Sequence, residues 1–163
     1  MGRPIRAEED GFRTAVGVVE MGKMMNAGVF SSNTDDWETP QDLFDKYDAI
    51  YHFTLDAAAS DSNHKCPNYY TKADDGLSKT WGGSTWCNPP YGRQIGKWVK
   101  KAYESDCTVV MLLPARTDTA WFHDYCLKGK IEFIRGRVRF GGAKWNAPFP
   151  SMIVVFGDRD EVH

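Results

Sequence analysis

The sequence predicts an α/β fold: a mostly parallel β-sheet covered by helices on both faces, with an antiparallel strand near the C-terminus. Apolar segments of strand length alternate with segments in which apolar residues recur at helical spacing. The clearest strand, CTVVMLLP at residues 107–114, is continuously apolar, as is typical of a central parallel strand buried on both faces. With 163 residues, the chain has the length of one compact domain.

The first half of the chain contains one predicted helix and one predicted strand before a long connection. Thr39 is expected to cap a helix whose first position is Pro40, with apolar side chains at helical spacing up to Ile50. A buried strand is predicted over residues 52–58. The polar connection over 60–83 is long for a structureless loop, so we expect it to be functional or to hold short elements of its own.

The second half of the chain continues the alternation of strands and helices. Its amphipathic helix presents apolar residues on one face only, as a helix packed on a sheet does. The predicted elements are a strand over 84–87, a helix over 94–105, the strand over 107–114, a helix capped by Thr117 or Asp118 that continues through Cys126, and strands over 130–134 and 151–157.

Composition restricts the class of protein. Hydrophobic residues make up 42% and charged residues 26% of the chain, as in a globular protein. No apolar run has the length of a membrane span, and residues 1–12 lack the apolar stretch of a signal peptide. The four cysteines form no CxxC pair, which favours a reduced cytoplasmic protein without a metal site. We expect a monomer with one domain over 31–163, preceded by a poorly ordered extension over 1–30.

Charged residues are unevenly distributed along a chain whose net charge is only −2. Residues 34–61 contain eight carboxylates and one lysine. Residues 128–144 contain six cations and one carboxylate, and residues 93–101 contain four cations and no carboxylate. The two basic stretches would suit a phosphate backbone, although ordinary solvated faces give the same pattern.

The motif with the clearest chemical meaning is Asn88-Pro89-Pro90-Tyr91, which follows the strand predicted over 84–87. Two consecutive prolines stiffen the backbone and remove two N–H donors. The Asn88 amide oxygen and the Pro89 carbonyl group can then accept the two hydrogens of an exocyclic amino group on a planar base, and Tyr91 can stack on the ring. The alternative is a stiff loop without chemistry, but the position between a strand and a helix favours the functional interpretation.

Two such acceptors would activate an amino group whose lone pair is otherwise delocalised into the ring. They would localise the lone pair toward an electrophilic methyl group and stabilise the charge that develops on nitrogen. Asp56, Asn88 and residues 114–116 all lie at the carboxyl ends of predicted strands, and α/β sheets bind ligands beyond these ends. The sequence therefore predicts a site at this edge of the sheet.

From about Ser31 to Gly157, the sequence resembles the amino-methyltransferase superfamily and, more closely, the small phage-type DNA N6-adenine methyltransferases. Asn88-Pro89-Pro90-Tyr91 is similar to the catalytic tetrapeptide of that family. Residues 36–40 (DWETP) and 55–60 (LDAAAS) are similar to its cofactor motifs, although alanines here replace the glycine-rich turn of many methyltransferases. The segments 74–77, 113–117, 135–137 and 148–151 fit the same group.

The resemblance implies a Rossmann-like methyltransferase fold, S-adenosyl-L-methionine as cofactor, DNA as partner, and a phage- or prophage-encoded protein in the bacterial cytoplasm. The implied catalytic residues are Asn88, Pro89, Pro90 and Tyr91. The implied cofactor-binding residues are Trp37, Thr39, Pro40, Asp56, Ala57, Ala58 and Asp75. The implied substrate-binding residues are Arg116, Arg137, Arg139 and Phe149. Each of these residues outside the tetrapeptide also has an ordinary structural interpretation as a cap, a turn residue, a surface charge or part of the core.

The target adenine has to leave the duplex to reach such a site, because N6 is engaged in base pairing there. Little chain remains for a separate recognition domain, so we expect a short recognition site or a weak sequence preference, read by residues 60–83 or by the loops after Pro114. Two other functions fit the same residues. One is methylation of RNA adenine or of a protein glutamine, and the other is a DNA-binding module that has lost catalysis.

Overall fold

The computed structural model describes residues 36–141 and 146–157, which form one central sheet with helices on both faces. The expectations for residues 1–30, and residues 142–145 of the second basic stretch, lie outside the described residues. The strands are β1 (Leu55–Asp56), β2 (Ser84–Cys87), β3 (Thr108–Pro114), β4 (Lys130–Phe133) and β5 (Ser151–Phe156).

The strands lie in the spatial order β1-β2-β3-β5-β4. β1, β2 and β3 are mutually parallel, and β5 lies between β3 and β4, antiparallel to both. The predicted α/β class, with a reversed strand near the C-terminus, is confirmed. All six residues of β5 and six of the seven residues of β3 are buried, because both faces of these central strands are covered.

Helix α1 (Gln41–Tyr51) covers one face of the sheet. The ring of Phe44 lies 5.4 Å from the ring of Trp86 in β2, and the Tyr47 hydroxyl donates a hydrogen bond of 2.6 Å to Glu132 in β4. The strand register places the side chains of Trp86 and Glu132 on the same face of the sheet, because the residues paired with them across β3 and β5 also point to that face. This face therefore carries the segment that leads into α1.

Helices α2 (Ile95–Glu104) and α3 (Ala120–Asp124) complete the framework. The ring of Tyr103 in α2 lies 5.9 Å from that of Phe156, whose side chain points to the face opposite Trp86. Ile95, Trp98, Val99 and Ala102 form the buried side of α2, as the helical spacing predicts. No helix within 36–141 or 146–157 is long and apolar enough to cross a bilayer.

Three local predictions are wrong. Thr39 does not cap α1: Pro40 occupies the cap position and no side chain closes the helix end. The strand predicted over 52–58 is reduced to two residues, since His52 ends α1 in the left-handed conformation (φ 51°) and the Asp56 carboxylate accepts from the Ala58 N–H, turning the chain.

The third wrong prediction concerns the cap of α3. Thr119, rather than Thr117 or Asp118, caps this helix, and its hydroxyl oxygen accepts a hydrogen bond of 3.2 Å from the Phe122 N–H. Thr119 also donates from its hydroxyl to the Arg116 carbonyl oxygen, which fixes the turn that follows β3. The helix ends at Asp124, and a short 3₁₀ turn over Cys126–Lys128 leads into β4.

Candidate active site

A cavity of about 640 Å³ opens at the carboxyl ends of β1 and β2. Its walls come from the segment before α1, the turn after β1, the connection over 60–83 and the loop after β2. This volume is in the range of cavities that bind a cofactor or another small molecule. The connection over 60–83, which contains a short 3₁₀ turn at Gly76–Ser78, is thus part of a potential binding site.

Asn88 reaches the cavity directly from the end of β2. Its Nδ2 group donates one hydrogen bond to the Trp37 carbonyl oxygen and one of 3.0 Å to Thr39 Oγ1. Its Oδ1 atom is buried and has no hydrogen-bond partner among the residues that the structure describes. A buried, unpaired carbonyl oxygen costs free energy, so this atom is prepared to accept a hydrogen from a bound molecule.

Tyr91 lies behind the cavity wall and does not line it. Its ring is only 4% exposed, and its hydroxyl donates a hydrogen bond of 2.8 Å to the Leu112 carbonyl oxygen of β3. The edges of the Phe140 and Phe149 rings pack against it, with centroids 6.2 and 5.8 Å away. In this arrangement Tyr91 anchors the proline loop to β3 and offers no open face to a base.

Phe149 is half-buried and joins this aromatic cluster to the segment before α1. Its ring centroid lies 5.2 Å from that of Trp37, which lines the cavity. Phe149 thus lies close to the loop that contains Asn88, but it does not itself line the cavity, so its role in base stacking stays a prediction. Pro89 and Pro90 also line the cavity.

Asp56 ties the turn after β1 to the long connection. Its Oδ1 atom accepts a hydrogen bond of 3.4 Å from the Ala58 N–H, and its Oδ2 atom accepts one of 2.9 Å from the Lys65 N–H. Burial raises the pKa of Asp56 to about 6, although the two backbone donors partly oppose this shift by stabilising the charged form. The carboxylate therefore links the turn after β1 to the long connection and also contributes negative charge at the cavity edge.

We expect the Asp56 carboxyl group to titrate near pH 6, and the amide NMR signals of Ala58 and Lys65 to shift with the same midpoint. The folded-state pKa of about 6 exceeds the ordinary value of 3.8. The contribution of Asp56 to stability is therefore fully present below about pH 4 and is lost as the pH rises through about 6. Asp56→Asn should remove the transition from both amides, and a midpoint near pH 4 in the wild-type protein would contradict the assignment.

Close contact between two backbones shapes the far wall of the cavity. A Cβ atom on Gly76 would lie 2.5 Å from the Ala57 carbonyl oxygen and 3.1 Å from the Trp98 ring, so only glycine permits this approach. Trp81 supports the wall by donating from Nε1 to the Gly76 carbonyl oxygen and by stacking on Trp98 with ring centroids 6.0 Å apart. Gly76 therefore brings the connection against the turn after β1.

Sequence reasoning missed Trp98 as a cavity residue, because its position on α2 fits an ordinary core residue equally well. Of the residues predicted to bind the cofactor, Pro40 does not line the cavity. The other predicted cofactor residues do, namely Trp37, Thr39, Asp56, Ala57, Ala58 and Asp75.

The charge of the cavity favours a positively charged ligand. Its lining contains five carboxylates and two lysines, and some of these carboxylates come from the acidic stretch over 34–61. A cation gains Coulomb energy in such a concave, partly desolvated site, whereas a phosphate group is repelled. The lining carboxylates are Asp36, Glu38, Asp56, Asp61 and Asp75.

The predicted substrate-binding arginines lie outside the cavity. Arg116 and Arg139 are exposed, and Arg116 follows the end of β3. Arg137 is also exposed, and its Nη1 group donates a hydrogen bond of 3.5 Å to the Ala147 carbonyl oxygen, linking the two segments that meet there. These cations are therefore available to a ligand on the protein surface and not to one inside the cavity.

Thiol and metal chemistry have little support at this site. Burial raises the pKa of the Cys87 thiol well above its ordinary value, so the group stays protonated and is a poor nucleophile. Within the described ranges, no group of three or more His, Cys, Asp or Glu side chains is arranged to hold a metal ion.

Comparison with known proteins places this cavity and loop in a family. A family model described as DNA N-6-adenine-methyltransferase (Dam) matches residues 27–157. A DNA N-6-adenine-methyltransferase of Escherichia phage T1 is 39% identical over 94 residues, which cover 54% of this chain and 39% of the relative. A protein of the same name from Haemophilus phage HP1 (strain HP1c1) is 31% identical over 117 residues, which cover 68% of this chain and 67% of the relative. With a match across most of its length, the chain belongs to the DNA N-6-adenine-methyltransferase (Dam) family.

Proposed function

We propose that this protein transfers a methyl group from S-adenosyl-L-methionine to N6 of adenine in DNA. The observation that carries the proposal is the buried Oδ1 atom of Asn88, which has no hydrogen-bond partner among the described residues and belongs to a residue that lines a cavity rich in carboxylates. We further propose that the sheet is a Rossmann-like methyltransferase fold, and that the protein is a phage- or prophage-encoded monomer in the bacterial cytoplasm, with one domain over 31–163.

The cavity residues fit S-adenosyl-L-methionine by charge and by shape. The five carboxylates suit a cofactor that carries a sulfonium and an ammonium group, while Trp37 and Trp98 supply apolar wall for its uncharged parts. When bound, this cofactor would supply an electrophilic methyl group. We assign Asp56 and Asp75 to favour its positive charges, and Ala57 to allow its close approach to the backbone after β1.

Asn88 supplies the acceptor for the target amino group. Because both Nδ2 hydrogens are already engaged, the amide can only accept at the cavity, and its oxygen would accept a hydrogen bond from the N6 amino group of adenine. This interaction localises the lone pair and strengthens as positive charge develops on nitrogen, which is the condition for lowering the barrier. Phe149 would stack on the base, whereas Tyr91 holds the proline loop in place from behind.

Charge separation also indicates how DNA would approach. The acidic cavity repels phosphates, so the backbone of the nucleic acid has to remain outside while a single base enters. Arg116, Arg137 and Arg139 are exposed outside the cavity and would pair with phosphates there. An adenine flipped out of the duplex is therefore the form of the substrate that is compatible with both the acidic cavity and the basic surface outside it.

The direct test is to incubate the purified protein and labelled S-adenosyl-L-methionine with unmodified duplex DNA, RNA or a protein mixture. Nucleoside analysis of the DNA should yield N6-methyladenine, and base-resolution mapping should show a short or degenerate site. Label in RNA or in protein glutamine alone would assign the activity to another substrate. DNA binding without any cofactor binding in calorimetry would indicate a module that has lost catalysis.

A further inference from the structure

Thr39 is a buried polar residue whose side chain does not cap a helix. It is 5% exposed and precedes α1, but the cap position belongs to Pro40 and no side-chain hydrogen bond closes that end. Its hydroxyl oxygen instead accepts a hydrogen bond of 3.0 Å from Nδ2 of Asn88. Together with the carbonyl group of Trp37, it engages both hydrogens of the Asn88 amide nitrogen.

We propose that Thr39 and the Trp37 carbonyl group are positioning elements that hold the Asn88 carboxamide with its oxygen toward the target amino group. The inference rests on the proposed function, because it assigns these groups a role in the same transfer step. It also explains why a buried threonine, which gives the helix no cap, stands at the entry to α1.

The two partners of the amide nitrogen act differently. A backbone carbonyl group can only accept, so rotation of the carboxamide by half a turn would bring the Asn88 oxygen against the Trp37 oxygen with no hydrogen between them. A hydroxyl group can either donate or accept, so Thr39 does not by itself select the orientation. The Trp37 carbonyl group therefore determines the orientation of the Asn88 carboxamide, and Thr39 restricts the rotation that remains possible around it.

The side chain at position 88 must therefore present a hydrogen-bond donor to the Trp37 carbonyl group. An ionised aspartate there would place an oxygen without hydrogen against the Trp37 carbonyl group. A protonated aspartate could donate to that carbonyl group and keep its other oxygen toward the cavity, as asparagine does. Asn88→Asp should therefore work in its protonated form only.

The first test compares Thr39→Val, which removes the hydroxyl group, with Thr39→Ser, which retains it. We expect Thr39→Val to lower kcat, measured at saturating S-adenosyl-L-methionine, about tenfold, the size of one lost hydrogen bond. Thr39→Ser should recover most of the rate. Thr85→Val is the matched control, since Thr85 is buried in β2 and its hydroxyl group donates to the Gly82 carbonyl oxygen.

The second test is the pH profile of Asn88→Asp divided by that of the wild-type protein. We expect the ratio of kcat values to rise about tenfold for each unit that the pH falls toward the pKa of the new carboxyl group. The division is needed because Asp56, whose pKa is about 6, and other charged groups line the same cavity. The charged groups of the lining are Asp36, Glu38, Asp56, Asp61, Lys65, Lys72 and Asp75.

A third measurement does not depend on activity. The two side-chain amide hydrogens of Asn88 should exchange slowly in NMR spectra of the wild-type protein and faster in Thr39→Val. An active wild-type protein with unchanged kcat and unchanged exchange in Thr39→Val would overturn the role of Thr39, and a flat ratio for Asn88→Asp would overturn that of the Trp37 carbonyl group. A wild-type protein that makes no N6-methyladenine would overturn the proposed function instead. The exchange measurement would still report on the hydrogen bonds that hold the Asn88 carboxamide.

Discussion

Replacement of Asn88 by alanine is expected to lower kcat for methyl transfer by about 10² to 10³-fold, the effect of removing one group that stabilises charge in a transition state. Alanine removes the buried Oδ1 atom, which has no hydrogen-bond partner within the described ranges and so is free to accept from a substrate. It also releases the Trp37 carbonyl group and Thr39 from their donor. The carboxylates that line the cavity remain in place, so under the proposed function we expect the Kd of S-adenosyl-L-methionine to change by no more than about twofold.

Single-turnover transfer and calorimetric titration of the cofactor would measure these two quantities separately. Asn68→Ala is a suitable control, because Asn68 is exposed on the long connection and its Nδ2 group makes only a long hydrogen bond of 3.4 Å to the Thr54 carbonyl oxygen. Equal loss of rate in the two variants, or loss of cofactor binding in Asn88→Ala, would remove the basis for assigning the acceptor role to Asn88.

Replacement of Trp86 by alanine is expected to lower the free energy of unfolding by about 3–5 kcal/mol, as for other fully buried large aromatic residues. Trp86 is 1% exposed, and its ring centroid lies 5.4 Å from that of Phe44 and 5.5 Å from that of Phe53. The indole thus fills the space between β2, α1 and the segment after α1. Total stabilities of single domains are about 5–15 kcal/mol, so the variant should be close to unfolding at 37 °C.

Urea denaturation followed by far-UV circular dichroism would measure this loss without relying on tryptophan emission. Trp121→Ala provides the comparison, because Trp121 in α3 is only half-buried, and its loss should be less than half as large. Midpoints that coincide for the two variants would show that Trp86 does not hold α1 against the sheet. Because Trp86 also lines the cavity, the folded fraction of Trp86→Ala should bind the cofactor more weakly.

The regular part of the fold could be predicted from local patterns, because burial imposes a period on the sequence. The continuous apolar run at residues 107–114 gave β3 to within one residue, and the one-sided apolar spacing over 94–105 gave α2 equally closely. The length of β1 was overestimated, since it depends on a turn that the Asp56 carboxylate makes with backbone donors.

The sequence indicated the parts of the candidate site that are formed by consecutive residues. It did not indicate the parts that depend on contacts between residues far apart in the chain. The position of Asn88-Pro89-Pro90 after a predicted strand placed these residues at the edge of the sheet, where they line the cavity. The use of Thr39 could not, because its partner, Asn88, belongs to a different part of the sequence. The burial of Tyr91 beneath Phe140 and Phe149 was hidden for the same reason, as was the place of Trp98 in the cavity wall.

The insertion of β5 between β3 and β4 has a consequence for the order of assembly during synthesis. Residues 151–156 form the last strand within the described part of the chain, yet they pair with both neighbours and separate two strands made earlier. A nascent chain that has not yet reached residue 151 leaves β3 with an open edge and β4 with no neighbour in the sheet. The five-stranded sheet therefore cannot close until residues 151–156 have been synthesised, and a chain released before that point would expose an open strand edge that favours aggregation.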